Sequence, residues 1–204
     1  MAGAILAYSL NPKTKSLKIG IFGGSFDPVH RGHLFLAKTA ISKLGLDRII
    51  FIPAYQNPLK HNKPENNLHR YKMLLLATKD NPLFFIDDFE LNNPVKSYTI
   101  NTLHYLHSKY EKDEFFLLIG GDSAESFFKW KDFKILLTLC TLIIFKRKDS
   151  FIPESLKDKS IIIDFDCPYS STDIRKKISS GNIPYNALPE RVSEYIEKFG
   201  LYYK

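Results

Sequence analysis

The chain is 204 residues long, 44% of it hydrophobic, with a formal net charge of +7. That length and apolar content suit one domain with its own core and exclude wholesale disorder. The positive balance attracts anions, but the lysines are dispersed and the dense run Lys146-Arg147-Lys148 is short. A dedicated nucleic-acid protein would concentrate its charge, so no nucleic-acid partner is expected.

Residues 1–17 show no basic start followed by an apolar core, and no apolar run reaches transmembrane length. They read as an extension before a single domain spanning 18–204, with a cytoplasmic location and no membrane partner. Lys18-Ile19-Gly20-Ile21-Phe22 is a short apolar strand ending in glycines. His33 to Leu44 has helical spacing of apolar residues and stops at Gly45. Arg48 to Pro53 is a second strand. Asn57 to Asn67 is a polar, basic loop, read as mobile. A helix over His69–Asp80 and a strand over Leu83–Asp87 follow.

The second half repeats the alternation. Ser97 is placed to cap a helix from about Tyr98 to Tyr110. Glu114 to Gly120 is a buried strand, and a helical stretch holding Trp130 comes next. Thr138 to Phe145 reads as another strand, with Cys140 in it as a buried small hydrophobe. Ile161 to Phe165 is an edge or additional strand. Cys167 falls in a loop, and two helices, Thr172–Ser179 and Pro189–Phe199, close the chain. With no CxxC motif and no His/Cys cluster, both cysteines are expected as free thiols and no metal site is expected. Continuous apolar strands alternating with helices imply an α/β fold, a doubly wound, mainly parallel sheet with helices on both faces. Ligands of such sheets bind beyond the carboxyl ends of the strands, which places the loops after Phe22, Ile52 and Ile119 at the site.

The first of these loops reads Gly23-Gly24-Ser25-Phe26-Asp27-Pro28-Val29-His30-Arg31-Gly32-His33. Gly23 and Gly24 let the backbone turn sharply and bring N–H groups close to phosphate oxygens. Asp27-Pro28 forces a turn, and the helix that follows presents its positive end to the same place. His30 and His33, three apart, share a face and can donate to a phosphate that gains charge in a transition state. The loop lacks the lysine of a Walker motif and the third glycine of a dinucleotide fingerprint. A second motif, Ser170-Ser171-Thr172-Asp173-Ile174-Arg175, offers Ser171 or Thr172 as a helix cap with hydroxyls for an anion. Arg175 lies one turn on and can grip phosphate with several donors.

The first loop resembles the Gly-Gly-x-Phe-Asp-Pro-x-His-x-Gly-His signature of the nucleotidyltransferase superfamily, and the second resembles its Ile-Ser-Ser-x-x-Ile-Arg motif. The segments Ser97-Tyr98-Thr99-Ile100-Asn101-Thr102-Leu103, Ile119-Gly120-Gly121-Asp122-Ser123 with Trp130, and Gly200-Leu201-Tyr202 are similar to those of bacterial nicotinate-mononucleotide adenylyltransferases. The resemblance runs from Lys18 over nearly the whole chain. It implies a Rossmann-like sheet and transfer of an adenylyl group from ATP to nicotinate mononucleotide, with release of pyrophosphate, in NAD biosynthesis. It gives His30 and His33 the ATP phosphates and the charge on the α-phosphate. Ser171, Thr172 and Arg175 take the β- and γ-phosphates, with Gly23, Gly24, Ser25 and Phe26 lining the ATP site. Tyr98, Thr99 and Trp130 are the candidates for the mononucleotide. Trp130 can stack on a planar ring, and Thr99 with neighbouring N–H groups can receive the ring carboxylate. Asp122 is placed to accept from a ribose hydroxyl or to help organise the nucleotide. Mg²⁺ is expected to travel with the ATP phosphates, since no carboxylate cage is evident.

Besides Tyr169 at the Ile position of the second motif, the chain departs from the family in one loop. Asn57-Pro58-Leu59-Lys60 stands where the family often has Pro-Pro-His followed by a basic residue. Leu59 replaces the histidine, which leaves Lys60 as a phosphate-contact candidate. His104 and His107, three apart on a helix, read as a solvated or packed pair. Two rival readings remain: a sister transferase using nicotinamide mononucleotide, flavin mononucleotide or phosphopantetheine, and a non-catalytic basic nucleic-acid-binding protein.

Overall fold

The computed structural model describes residues 15–59, 65–148 and 150–203. Most of the expected extension therefore lies outside the described residues, and so does Lys60. In chain order, β1 (Lys18–Gly24) leads to α1 (Arg31–Leu44), β2 (Arg48–Pro53), α2 (Asn67–Thr78) and β3 (Phe84–Ile86). The short α3 (Phe89–Asn92) and then α4 (Thr99–Lys109) lead back to β4 (Glu114–Gly120). Next come α5 (Gly121–Glu125), a 3-10 turn at Phe127–Lys129, α6 (Phe133–Leu139) and β5 (Thr141–Lys146). The chain ends with α7 (Glu154–Lys157), β6 (Ser160–Asp164), α8 (Ser171–Ser179) and α9 (Glu190–Phe199).

The six strands form one sheet in the order β3-β2-β1-β4-β5-β6, and every pairing is parallel. The expected doubly wound sheet is therefore present, with Ile161 to Ile163 on its outer strand. Side chains on a strand point alternately to opposite faces, and both faces here are covered. Leu118, Ile143 and Phe145 go to one core with α1, α8 and α9, among Leu36, Ile174, Val192 and Ile196. Leu117, Ile119, Leu142 and Ile144 go to a second core with α4 and α6, among Leu103, Leu106 and Leu136. Strand order reverses between β1 and β4, so the crevice at their carboxyl ends is the place a ligand enters such a sheet.

Several boundaries differ from the sequence reading. The strand expected from Thr138 starts at Thr141, because Thr138 and Leu139 close α6. Cys140 is accordingly the residue between them and half-buried; its thiol donates to the Leu136 carbonyl at 3.3 Å. Burial raises that thiol to about 12. Cys167, in its loop, is the buried one. The residue at the cap of α4 is Tyr98, and Ser97 instead accepts from the Tyr55 N–H at 2.9 Å. Among the described residues no helix is long and apolar enough to cross a membrane.

Candidate active site

The turn after β1 is built differently from the expectation. Gly23 and Gly24 are the last residues of β1, still paired with Ile52 and Pro53 of β2. The left-handed residue is Phe26, with φ of 47°. A Cβ on Gly23 would meet nothing within 4 Å, so the space beside it is open to a ligand. Phe26 is 2% exposed and edge-on to Phe22, Phe51 and the His33 ring. Its side chain belongs to the core and props His33; only its backbone can meet a nucleotide.

His30 caps α1 with an extended backbone and is 4% exposed. Its N–H donates to His33 Nδ1 at 3.2 Å, and the two rings stack at 3.7 Å between centroids. With Nδ1 accepting, a neutral His33 carries its proton on Nε2. Buried His30 Nδ1 has no hydrogen-bond partner among the described residues. Burial, and then the charge of Arg147, lower its imidazole to about 4. His30 is therefore neutral near pH 7 and contributes a hydrogen-bond donor rather than a full charge. Gly32 makes this arrangement possible, since a Cβ there would lie 2.4 Å from Cys167 Sγ and 2.9 Å from His30 Nδ1.

The second motif is stitched onto this loop. Ser171 Oγ donates to the Pro28 carbonyl at 3.0 Å. Arg175 Nη1 donates to the Asp27 carbonyl at 2.6 Å and lies 3.8 Å from Asp27 Oδ2. The cap of α8 is Ser170, not Ser171 or Thr172: Ser170 Oγ accepts from the Asp173 N–H at 3.1 Å. That leaves Thr172 exposed and binds Ser171 to the first loop. The structure therefore gathers His30, His33, Ser171 and Arg175 around one turn.

Three residues that sequence reasoning passed over complete the surroundings. Arg147 follows β5 directly and donates to the Tyr169 carbonyl at 3.2 Å. Arg70 is fully buried and donates to the carbonyls of Ser25 and Ala54, both at 2.6 Å, so it ties the loops after β1 and β2 together. Tyr202 donates to Asp27 Oδ1 at 2.8 Å.

The acceptor candidates lie after β2, before α4 and after β4. Ser97 N–H donates to the Gln56 carbonyl at 2.9 Å, which fastens the start of α4 to the loop after β2. Buried Glu90, whose carboxyl burial pushes up, accepts from Thr102. Thr99 is the first residue of α4. Trp130 is half-buried against Phe127, ring centroids 5.3 Å apart, and its buried Nε1 has no hydrogen-bond partner among the described residues. Lys131 Nζ sits 5.1 Å over the Tyr98 ring, so the Trp130 segment and the Tyr98 segment are neighbours. Asp122 is exposed in the first turn of α5. A cavity of about 120 Å³ beside Ser97, Tyr98 and Thr102 is too small to hold a mononucleotide. His107 is a packed residue, its Nε2 2.9 Å from the Leu139 carbonyl. No group of three or more His, Cys, Asp or Glu side chains is arranged for a metal among the described residues.

A family model described as cytidylyltransferase-like matches residues 21–177, which includes both phosphate motifs. The chain belongs to this nucleotidyltransferase family. Over 198 residues it is 37% identical to a "Probable nicotinate-nucleotide adenylyltransferase" of Clostridium novyi, covering 91% of this chain and 98% of that one. A relative of the same name from Thermus thermophilus is 36% identical, with 91% and 100% covered. The solved structure of Plasmodium falciparum nicotinic acid mononucleotide adenylyltransferase complexed with NaAD superposes with a TM-score of 0.76. At 21% identity over 91% of this chain and 97% of that one, it bears out the fold. Membership of the nicotinate-nucleotide adenylyltransferases agrees with the resemblance read from the motifs.

Proposed function

We infer that this chain joins ATP and nicotinate mononucleotide into nicotinate adenine dinucleotide and pyrophosphate. The observation that carries the reading is the convergence of His30, His33, Ser171 and Arg175 on the Asp27-Pro28 turn, at the reversal of strand order. A phosphate oxygen of the mononucleotide attacks the α-phosphorus of ATP. The new P–O bond forms as the α–β bridging P–O bond breaks, and pyrophosphate leaves with that electron pair. No side chain becomes covalent; catalysis is positioning and stabilisation of charge.

His30 and His33 donate to the α-phosphate region from the start of α1, whose positive end adds to the effect. Ser171, Thr172 and Arg175 hold the outer phosphates, while Gly23, Gly24, Ser25 and the Phe26 backbone line the path of the chain. Asp122 serves the ATP ribose. Trp130 stacks on the pyridine ring, and Tyr98 and Thr99 face its carboxylate, with Lys60 as a further phosphate contact. Lys131 beside Tyr98 adds a positive charge that favours the acid over the amide. Enzymes of this kind generally use a divalent metal. The side chains assigned to the phosphates are imidazole, hydroxyl and guanidinium, and the one carboxylate in the turn, Asp27, is engaged by Tyr202 and Arg175, so no carboxylate cage for a hard cation forms among the described residues. Mg²⁺ therefore fits as part of the substrate, MgATP. The transfer domain spans residues 18–204 and acts in the cytoplasm.

The test is pyrophosphate release with ATP and a panel of acceptors. Turnover is expected with nicotinate mononucleotide, more slowly with nicotinamide mononucleotide, and not with flavin mononucleotide or phosphopantetheine. Absence of turnover with either pyridine mononucleotide would overturn the reading.

A further inference from the structure

The C-terminal turn reaches the phosphate loop. Gly200 ends α9, and Tyr202, with φ of 70°, turns its phenol back onto Asp27, 175 residues earlier. Asp27 is 7% exposed and sits in the middle of the loop that precedes α1. Its two carboxylate oxygens have different surroundings. Oδ1 accepts from Tyr202 at 2.8 Å. Oδ2 is 3.4 Å from the Glu65 N–H and 3.8 Å from Arg175 Nη1. The same Nη1 donates to the Asp27 carbonyl at 2.6 Å, so Arg175 is seated mainly on the backbone of this turn and only loosely on the carboxylate.

We propose that Tyr202 is a positioning residue for the triphosphate grip: it holds the Asp27 carboxylate back from Arg175. The inference rests on the reading of Arg175 as a ligand of the ATP phosphates. A buried carboxylate seeks donors. While the Tyr202 hydroxyl satisfies Oδ1, the guanidinium keeps donors for an anion, since among the described contacts it spends Nη1 alone. Remove the hydroxyl and, among the described residues, the nearest replacement donor of opposite charge is Arg175. The carboxylate then tightens the loose 3.8 Å ion pair into a direct, hydrogen-bonded one, which competes with ATP for the same guanidinium. Burial and the neighbouring Asp27 charge push the Tyr202 phenol far above its ordinary value, so it remains a donor throughout the working range of pH. Arg70, on the Ser25 carbonyl, holds the preceding residues of the loop still.

The experiment is a double-mutant cycle on steady-state kinetics, with Tyr202→Phe, Arg175→Ala and the pair. Removing a hydrogen bond to a charged group is expected to lower kcat/KM for ATP roughly fivefold to tenfold in Tyr202→Phe. The KM for nicotinate mononucleotide should stay within about twofold, and the Tyr202→Phe effect should shrink to less than about twofold in the Arg175→Ala background. A merely structural role would instead raise both substrates' KM together, or give the same loss in both backgrounds; either result overturns the proposal. Impaired Arg175→Ala with unimpaired Tyr202→Phe overturns the proposal alone. Wild-type ATP kinetics in Arg175→Ala overturns the phosphate-ligand reading and the proposal with it.

Discussion

His30 makes the protein's stability depend on pH in a way that can be worked out. Its imidazole ordinarily titrates at 6.5, and in the fold, burial and then Arg147 lower it to about 4. The unfolded chain therefore takes up the proton first as pH falls. His30 contributes stability that is whole above pH 6.5 and is lost progressively as pH falls toward 4. Between about pH 7.5 and about pH 4.5 the loss comes to roughly 2–3 kcal/mol by proton linkage. For a chain of this size that is about 5–10 °C in Tm. The perturbation is His30→Gln, which keeps a polar side chain and cannot titrate. The assay is urea unfolding of both proteins, without nucleotide, across that range. Glu90, raised by burial, pulls the other way as pH rises, but it is common to both proteins and cancels in the difference. The wild type should lose roughly 2–3 kcal/mol more than the variant over this range. Parallel losses would refute the buried, cation-repelled imidazole. Bound triphosphate should relieve the effect, because its negative charge favours the protonated ring.

Gly32→Ala should destabilise the fold by about 1–3 kcal/mol through overpacking, since the new methyl meets Cys167 Sγ at 2.4 Å; thermal unfolding checks it, and an unchanged Tm would mean the α1 start moves freely. His33→Ala is expected to lose about 100-fold or more in kcat while circular dichroism stays native, and wild-type turnover would contradict its role. Trp130→Ala should raise the KM for the mononucleotide with the KM for ATP unchanged; because Trp130 also packs on Phe127, Tm is expected to fall as well, and an unchanged acceptor KM would make it a core residue only. Arg70→Met should cost about 3–5 kcal/mol in urea unfolding, because it strands buried carbonyls of two site loops; a loss under about 1 kcal/mol would show that water replaces the guanidinium.

What the sequence made legible follows from locality. The β1 loop, the histidine pair and the α8 motif are contiguous runs whose residue types and spacing already specify a phosphate site, and the strand–helix alternation specifies the sheet. The start of β5 was not legible, because Ile135 to Phe145 is apolar throughout apart from two threonines, and periodicity cannot separate a buried helix end from a buried strand there. The cap of α8 is Ser170, ahead of both expected candidates, Ser171 and Thr172, for a similar reason: three consecutive hydroxyl side chains all qualify, and packing of Ser171 on Pro28 chooses among them.

Arg147 is a different kind of omission, since it was visible as charge but not as position. It follows β5, and the rule that drew attention to the loops after β1, β2 and β4 applies equally to that strand end. Applied to every parallel strand, the rule places Arg147 at the carboxyl edge of the sheet, and the fold then brings its charge to bear on His30. Arg70 and Tyr202 lie beyond any such rule. Arg70 occupies a helix position where an arginine is ordinarily read as solvated, and its partners are backbone carbonyls that leave no trace in residue identity. Tyr202 meets Asp27 across nearly the whole chain. The residues proposed to touch ATP are thus written in local motifs, while those that hold the motifs still come from long-range packing. That division is why variants at Arg70 and Tyr202, and not further substitutions in the histidine loop, test how the site is kept in shape.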